Sequence, residues 1–171
     1  MNEPHETIFP DLPDEARLWI VALDGAREDL WDLLSETQLF LEQWTSHGRS
    51  IQSEIALKSN RFLLIAGIIP GGTISGCGID ALMRAIDEIA VNRNCSVLSS
   101  MLIYYRMADG TVDFAPRSQF RNLVNQGLIS PETPVFNPGI YTLNELRMGN
   151  FELPLVNSVY ARVFQLPAII D

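Results

Sequence analysis

Two short runs of almost unbroken apolar sequence, Arg17 to Leu23 (RLWIVAL) and Phe62 to Ile69 (FLLIAGII), set the terms on which this chain can fold. Runs of this length, rich in Trp, Ile and Val, read as strands buried on both faces rather than strands with one wet face. Both fall far short of the roughly 20 residues a membrane helix requires. The N-terminus has no basic stretch followed by an apolar one, so the expected compartment is the cytoplasm.

Between the two runs, Leu30, Leu33, Leu34, Thr37, Leu41 and Trp44 recur at spacings of three and four and mark one face of a helix. Glu28 and Asp29 suit its positive start, His47 its negative end, and Gly48 a left-handed stop. Ile51, Ser53, Ile55 and Leu57 alternate, and Ser59-Asn60 supplies a turn into the second apolar run, which predicts a hairpin. After the glycine-rich stretch Pro70 to Gly78, the spacing of Ile79, Leu82, Ile86, Ile89 and Ala90 predicts a second helix ending near Asn92 to Asn94. Met101 to Arg106 (MLIYYR) follows as a strand.

The order strand, helix, strand, strand, helix, strand predicts an α+β fold with a ferredoxin-like βαββαβ core over residues 16–106. In that arrangement the first and third strands are central, and these are the two apolar runs. Residues 1–15, interrupted by Pro4, Pro10 and Pro13, read as a flexible N-terminal arm. Residues 107–171 read as a C-terminal α/β annex: an Asp109-Gly110 hairpin, a helix from Arg117 to Gln126 stopped by Gly127, an extended stretch 131–136 and a helical turn from Leu143 to Met148. Both helices lie on one sheet face, so the other must be covered, either by this annex or by a second copy in a homodimer.

Charge narrows the partners. Among 171 residues, 21 acidic side chains outnumber 12 basic ones, for a formal charge of −9. A field of that sign repels nucleic acid and anionic membranes. The two cysteines, Cys77 and Cys95, fall at opposite ends of the second predicted helix, about 20 Å or more apart, which rules out a disulfide between them. No CxxC or HxxxH spacing exists, so no metal is expected, and nothing calls for a cofactor.

The chemistry-bearing residues concentrate in Ser75-Gly76-Cys77-Gly78-Ile79-Asp80, where the third strand gives way to the second helix. Small residues there leave backbone N–H groups open to an anionic ligand, and a helix start favours a thiolate. The ferredoxin-like order brings the loop carrying His47 to the same end, with Arg17, Tyr104, Tyr105 and Arg106 expected nearby. Cys77 and His47 would then form a nucleophile and its base, oriented by Asp80 or Ser75. Each residue also has a plain structural reading: Cys77 as packing, His47 as a helix end, Asp80 as a cap, Arg106 as a surface ion-pair partner.

Trp44-Thr45-Ser46-His47-Gly48 together with Ser75 to Asp80 resembles a family of small uncharacterised bacterial proteins carrying WxxHG and SGCxID, over most of residues 16–155. Members are sometimes labelled ATPase components of ABC transporters. No lysine lies between Gly71 and Asp80 to complete a GxxxxGK[ST] phosphate loop, so that label finds no support in these residues. Members often carry Ser where this chain has Gly78. Residues 103–136 resemble the small GYF-like modules of bacterial proteins. GxGxxG after a strand, GxSxG and HExxH are absent. Two functions stay open: a ligand-binding or thiol-dependent enzyme at the His47/Cys77 edge, with Ser75, Gly76, Gly78, Asp80 and Arg106 contacting the ligand, and a non-catalytic interaction or dimerisation module.

Overall fold

In the computed structural model, which describes residues 8–164, the two apolar runs become neighbouring antiparallel strands in a mixed α and β fold. The chain runs through β1 (Arg17–Asp24), α1 (Arg27–Leu41), β2 (Thr45–Ser46), β3 (Arg49–Ser50), β4 (Gln52–Lys58), β5 (Phe62–Ile68) and α2 (Gly76–Asn92). It continues through β6 (Ser96–Val97), β7 (Ile103–Arg106), β8 (Val112–Ala115), α3 (Arg117–Asn125), β9 (Pro134–Phe136), α4 (Leu143–Arg147) and β10 (Glu152–Pro154). One sheet has the order β4-β5-β1-β6, a second β10-β9-β7-β8, and β2 and β3 form a hairpin.

Alternation along β5 explains the layering. Leu63 and Ile65 face the helices and pack with Leu30, Leu33, Leu82 and Ile86. Phe62, Leu64 and Ala66 face the second sheet and pack with Tyr104, Phe136 and Phe151. Phe62 meets these three rings at centroid distances of 5.3, 4.8 and 5.0 Å, within the range where aromatic edges and faces attract. The far side of the second sheet, Ile103, Tyr105 and Val135, packs on Phe120 of α3 and on Leu155.

The sequence expectations fail at three places. The helical spacing puts Trp44 on the first helix and His47-Gly48 at its end, but α1 stops at Leu41. His47 and Gly48 instead have φ of 50° and 73° and turn β2 into β3, the geometry that tight hairpins demand and that glycine supplies without strain. The strand beside β1 is Ser96–Val97, not Met101–Arg106. Asn94 (φ 55°) reverses the chain right after α2, so the first residues to reach β1 complete that sheet, and the more apolar IYYR run is left to centre the second. Third, Phe9 and Leu12 are buried in the core between the sheets, held by Arg147, which donates to the carbonyls of Ile8, Phe9 and Leu12. Residues 8–15 are therefore not a flexible arm. Residues 1–7 and 165–171 lie outside the described ones.

Tyr104 is fully buried, donates its hydroxyl to the Ser99 carbonyl at 2.7 Å, and burial pushes its pKa from 10.0 up to about 12. A folded-state pKa above the unfolded one contributes stability that is intact below pH 10 and lost as pH rises towards 12. Urea titrations across that window are expected to show wild type losing on the order of 2 kcal/mol more than Tyr104→Phe. Equal losses would overturn this account of the ring's environment.

Candidate functional site

The loop leaving β5 and the β2–β3 hairpin meet at one end of the first sheet. Ser75 caps α2, its side chain accepting from the Gly78 amide at 3.2 Å. Ser46 of β2 donates to Ser75 Oγ at 2.8 Å and accepts from the Ser75 amide at 2.9 Å. The Trp44 indole N–H reaches the Gly78 carbonyl at 2.8 Å in a buried position. On the other side Arg49 of β3 donates to the Pro70 carbonyl at 2.8 Å. Four hydrogen bonds between side chain and loop thus clasp the hairpin to the start of α2. The residues that made WxxHG and SGCxID conspicuous serve mostly to hold one backbone segment against another.

His47 and Cys77 flank this clasp and both are exposed. No hydrogen bond joins the imidazole to the thiol among the described residues; the two stretches are linked through Ser46, Ser75, Trp44 and Gly78. Gly76 and Asp80 are exposed on the first turns of α2, and Ser75 rather than Asp80 is the cap.

Arg106 does not belong to this group. It donates to Glu152 at 2.5 and 3.0 Å, to the Gly110 carbonyl at 2.7 Å and to Ser59 at 3.2 Å. Ser59 lies in the β4–β5 turn, at the far end of seven-residue strands, roughly 20 Å from the clasp. Tyr104 and Tyr105 go with it into the second sheet. The displacement follows directly from the fourth-strand position falling to residues 96–97.

Arg17 does stay at the clasp end, paired across the sheet with Gly67. Its guanidinium lies 4.1 Å from the Tyr141 ring centroid and 5.2 Å from that of Trp19. Tyr141 is fixed by donating its amide to Glu145 at 2.8 Å, in the capping box of α4, and by accepting from the Leu18 amide at 2.9 Å. The Tyr141 and Thr142 amides, both donating to it, hold the Glu145 carboxyl below its usual range. Trp19 in turn meets Trp44 edge to face at 5.5 Å. Beside Arg17 opens a concavity of about 280 Å³ lined by Glu15, Gly67, Ile68, Ile69, Gly72, Thr73, Ile74 and Tyr141. Nothing in the sequence pattern points to Tyr141, because it is brought to β1 by a segment more than a hundred residues away. Among the described residues no group of His, Cys, Asp and Glu is arranged to hold a metal, and no helix is long and apolar enough to cross a membrane.

No family model matches the chain, and neither a curated protein nor a solved structure matches it.

Two outcomes are expected from this geometry. Ser46→Ala removes the partner of both the Ser75 hydroxyl and the Ser75 amide, and it should cost about 1–3 kcal/mol in chemical denaturation; no change would mean the clasp does not tie the hairpin down. Cys77 is exposed, whereas burial raises the pKa of the Cys95 thiol. A disulfide reagent is therefore expected to titrate one thiol in the native protein, lost in Cys77→Ser, and the second only on unfolding. Two fast thiols, or none, would contradict that assignment.

Proposed function

We propose that this protein binds a small ligand by its carboxylate or other oxyanion group in the concavity beside Arg17, without covalent chemistry. The observation that carries this reading concerns the half-buried arginines. Among the described residues these are Arg17, Arg61, Arg93, Arg106 and Arg147. Arg61 pairs with Asp24, Arg93 with Asp32 and Glu36, Arg106 with Glu152 and Arg147 with Asp14. Among the described residues Arg17 has no carboxylate partner, and its Nε is buried without a hydrogen-bond partner; Arg147 Nε is orphaned too, but that guanidinium still reaches Asp14 and three carbonyls through its other nitrogens. A desolvated donor left unpaired is costly, and it is the state expected of a guanidinium whose acceptor is brought by a ligand. Stacking on Tyr141 and Trp19 holds the planar fork in place for an oxyanion.

The first sheet is read here as the ferredoxin-like element, its order β4-β5-β1-β6 being that of a split βαβ arrangement with β6 as the short fourth strand. Cys77, His47, Ser75, Gly76, Gly78 and Asp80 do not line this concavity, whose loop wall ends at Ile74; in this reading they belong to the clasp beside it. The thiol-enzyme alternative needs a base on Cys77, and the clasp offers hydroxyls and an indole instead. The homodimer alternative arose from an uncovered sheet face, and that face carries Phe62, Leu64 and Ala66, packed on the chain's own second sheet.

The test is thermal shift with inorganic phosphate, succinate and 4-methylpentanoate at millimolar concentration. At least one is expected to raise the melting temperature of wild type by a few degrees, and Arg17→Met, which keeps an unbranched aliphatic stem but not the guanidinium, to lose that response. If Arg17→Met does not fold, Arg17→Lys replaces it, retaining charge but not the fork, with affinity reduced tenfold or more. Anions acting equally on wild type and variant, or on neither, would remove the proposal.

A further inference from the structure

We infer that the ligand of this concavity is a zwitterion, an α-amino acid or short amino-carboxylate with an aliphatic side chain, a specification that rests on the Arg17 reading above. The cavity wall holds two opposite charges, Glu15 and Arg17, and no ion pair joins them among the described residues. A simple anion seated on Arg17 would meet the Glu15 carboxylate as a repulsion. A ligand carrying an ammonium beside its carboxylate turns that same contact into a second attraction, with Glu15 accepting from the ammonium and Arg17 donating to the carboxylate.

The remainder of the wall fits the rest of such a molecule. Ile68, Ile69 and Ile74 offer an apolar surface, and Thr73 a hydroxyl at the loop. At about 280 Å³ the space lies just under the range typical of sites for drug-sized ligands, enough for a single amino acid. The aromatic faces next to it do not compete for the ligand's ammonium, because Arg17 already lies over both Tyr141 and Trp19. That leaves Glu15 as the acceptor for it.

Calorimetric titration of the full chain with leucine, with 4-methylpentanoate (the same carboxylate without the amine) and with leucinamide (the same amine without the carboxylate) separates the possibilities. Leucine is expected to bind at least tenfold more tightly than either half-ligand. Glu15→Gln is expected to lower leucine to the level of 4-methylpentanoate while leaving the latter's binding unchanged or tighter, and Arg17→Met to weaken both carboxylates. Circular dichroism of each variant checks that it is folded; Glu15 is exposed, so its amide variant leaves packing intact. Leucine and 4-methylpentanoate binding alike, or Glu15→Gln leaving leucine unaffected, would overturn the zwitterion while leaving an anion site at Arg17. Tighter binding of leucinamide than of leucine, or no binding by leucine, 4-methylpentanoate, succinate or phosphate, would overturn both.

Discussion

Everything in this molecule follows from β5 having no face that can touch water. Residues Phe62 to Ala66 are fully buried, and side chains alternate, so one set requires a layer of helices and the other a second layer of comparable apolarity. The helices are supplied locally, by the connections before β4 and after β5. The second layer comes from residues 103–154, whose Tyr104, Phe136 and Phe151 close on Phe62. A sheet that would otherwise expose Leu64 and Ala66 is thereby completed within one chain. The two sheets share one core.

A second consequence concerns the end of the sheet where the clasp sits. Gly67 is placed where two indoles converge on β5: a Cβ there would come within 3.1 Å of Trp44 and 3.4 Å of Trp19. Removing the side chain lets both rings lie against the strand, and the rings then connect two features that are remote in sequence. Arg17 lies over Trp19, Trp19 meets Trp44, and Trp44 holds the Gly78 carbonyl. The concavity and the α2 start are thus braced by one run of aromatic packing, which suits a site whose geometry is set before its ligand arrives.

How far the sequence reveals this depends on whether the deciding contact is local. The helical spacing of Leu30, Leu33 and Leu41, the Ser59-Asn60 turn (φ 56° and 46°) and the Gly110 and Gly127 stops are local rules, and each places its element correctly. His47-Gly48 is misplaced because glycine after a polar residue serves both a helix end and a hairpin, and only the pairing of Thr45 with Ser50 decides between them. The fourth strand is misplaced for a related reason. IYYR has the stronger strand composition, but Ser96–Val97 reaches β1 first, and chain connectivity outweighs propensity where two residues suffice to pair. Cys77 and His47 stand out in the sequence because their chemistry is versatile, whereas Arg17 stands out only once the carboxylates of the other half-buried arginines are known. Missing partners cannot be read from a linear string.

Long-range electrostatics and the local site also have to be reconciled. A formal charge of −9 repels anions at a distance, so a site selecting a bare anion would work against its own surroundings. That repulsion is screened over about 8 Å at physiological ionic strength, whereas a guanidinium acts on its acceptor at hydrogen-bond distance. A ligand with no net charge crosses the outer field without penalty and meets Arg17 and Glu15 only at contact. The acidity of the chain is therefore consistent with the proposed ligand, a molecule that is charged in its parts and neutral as a whole.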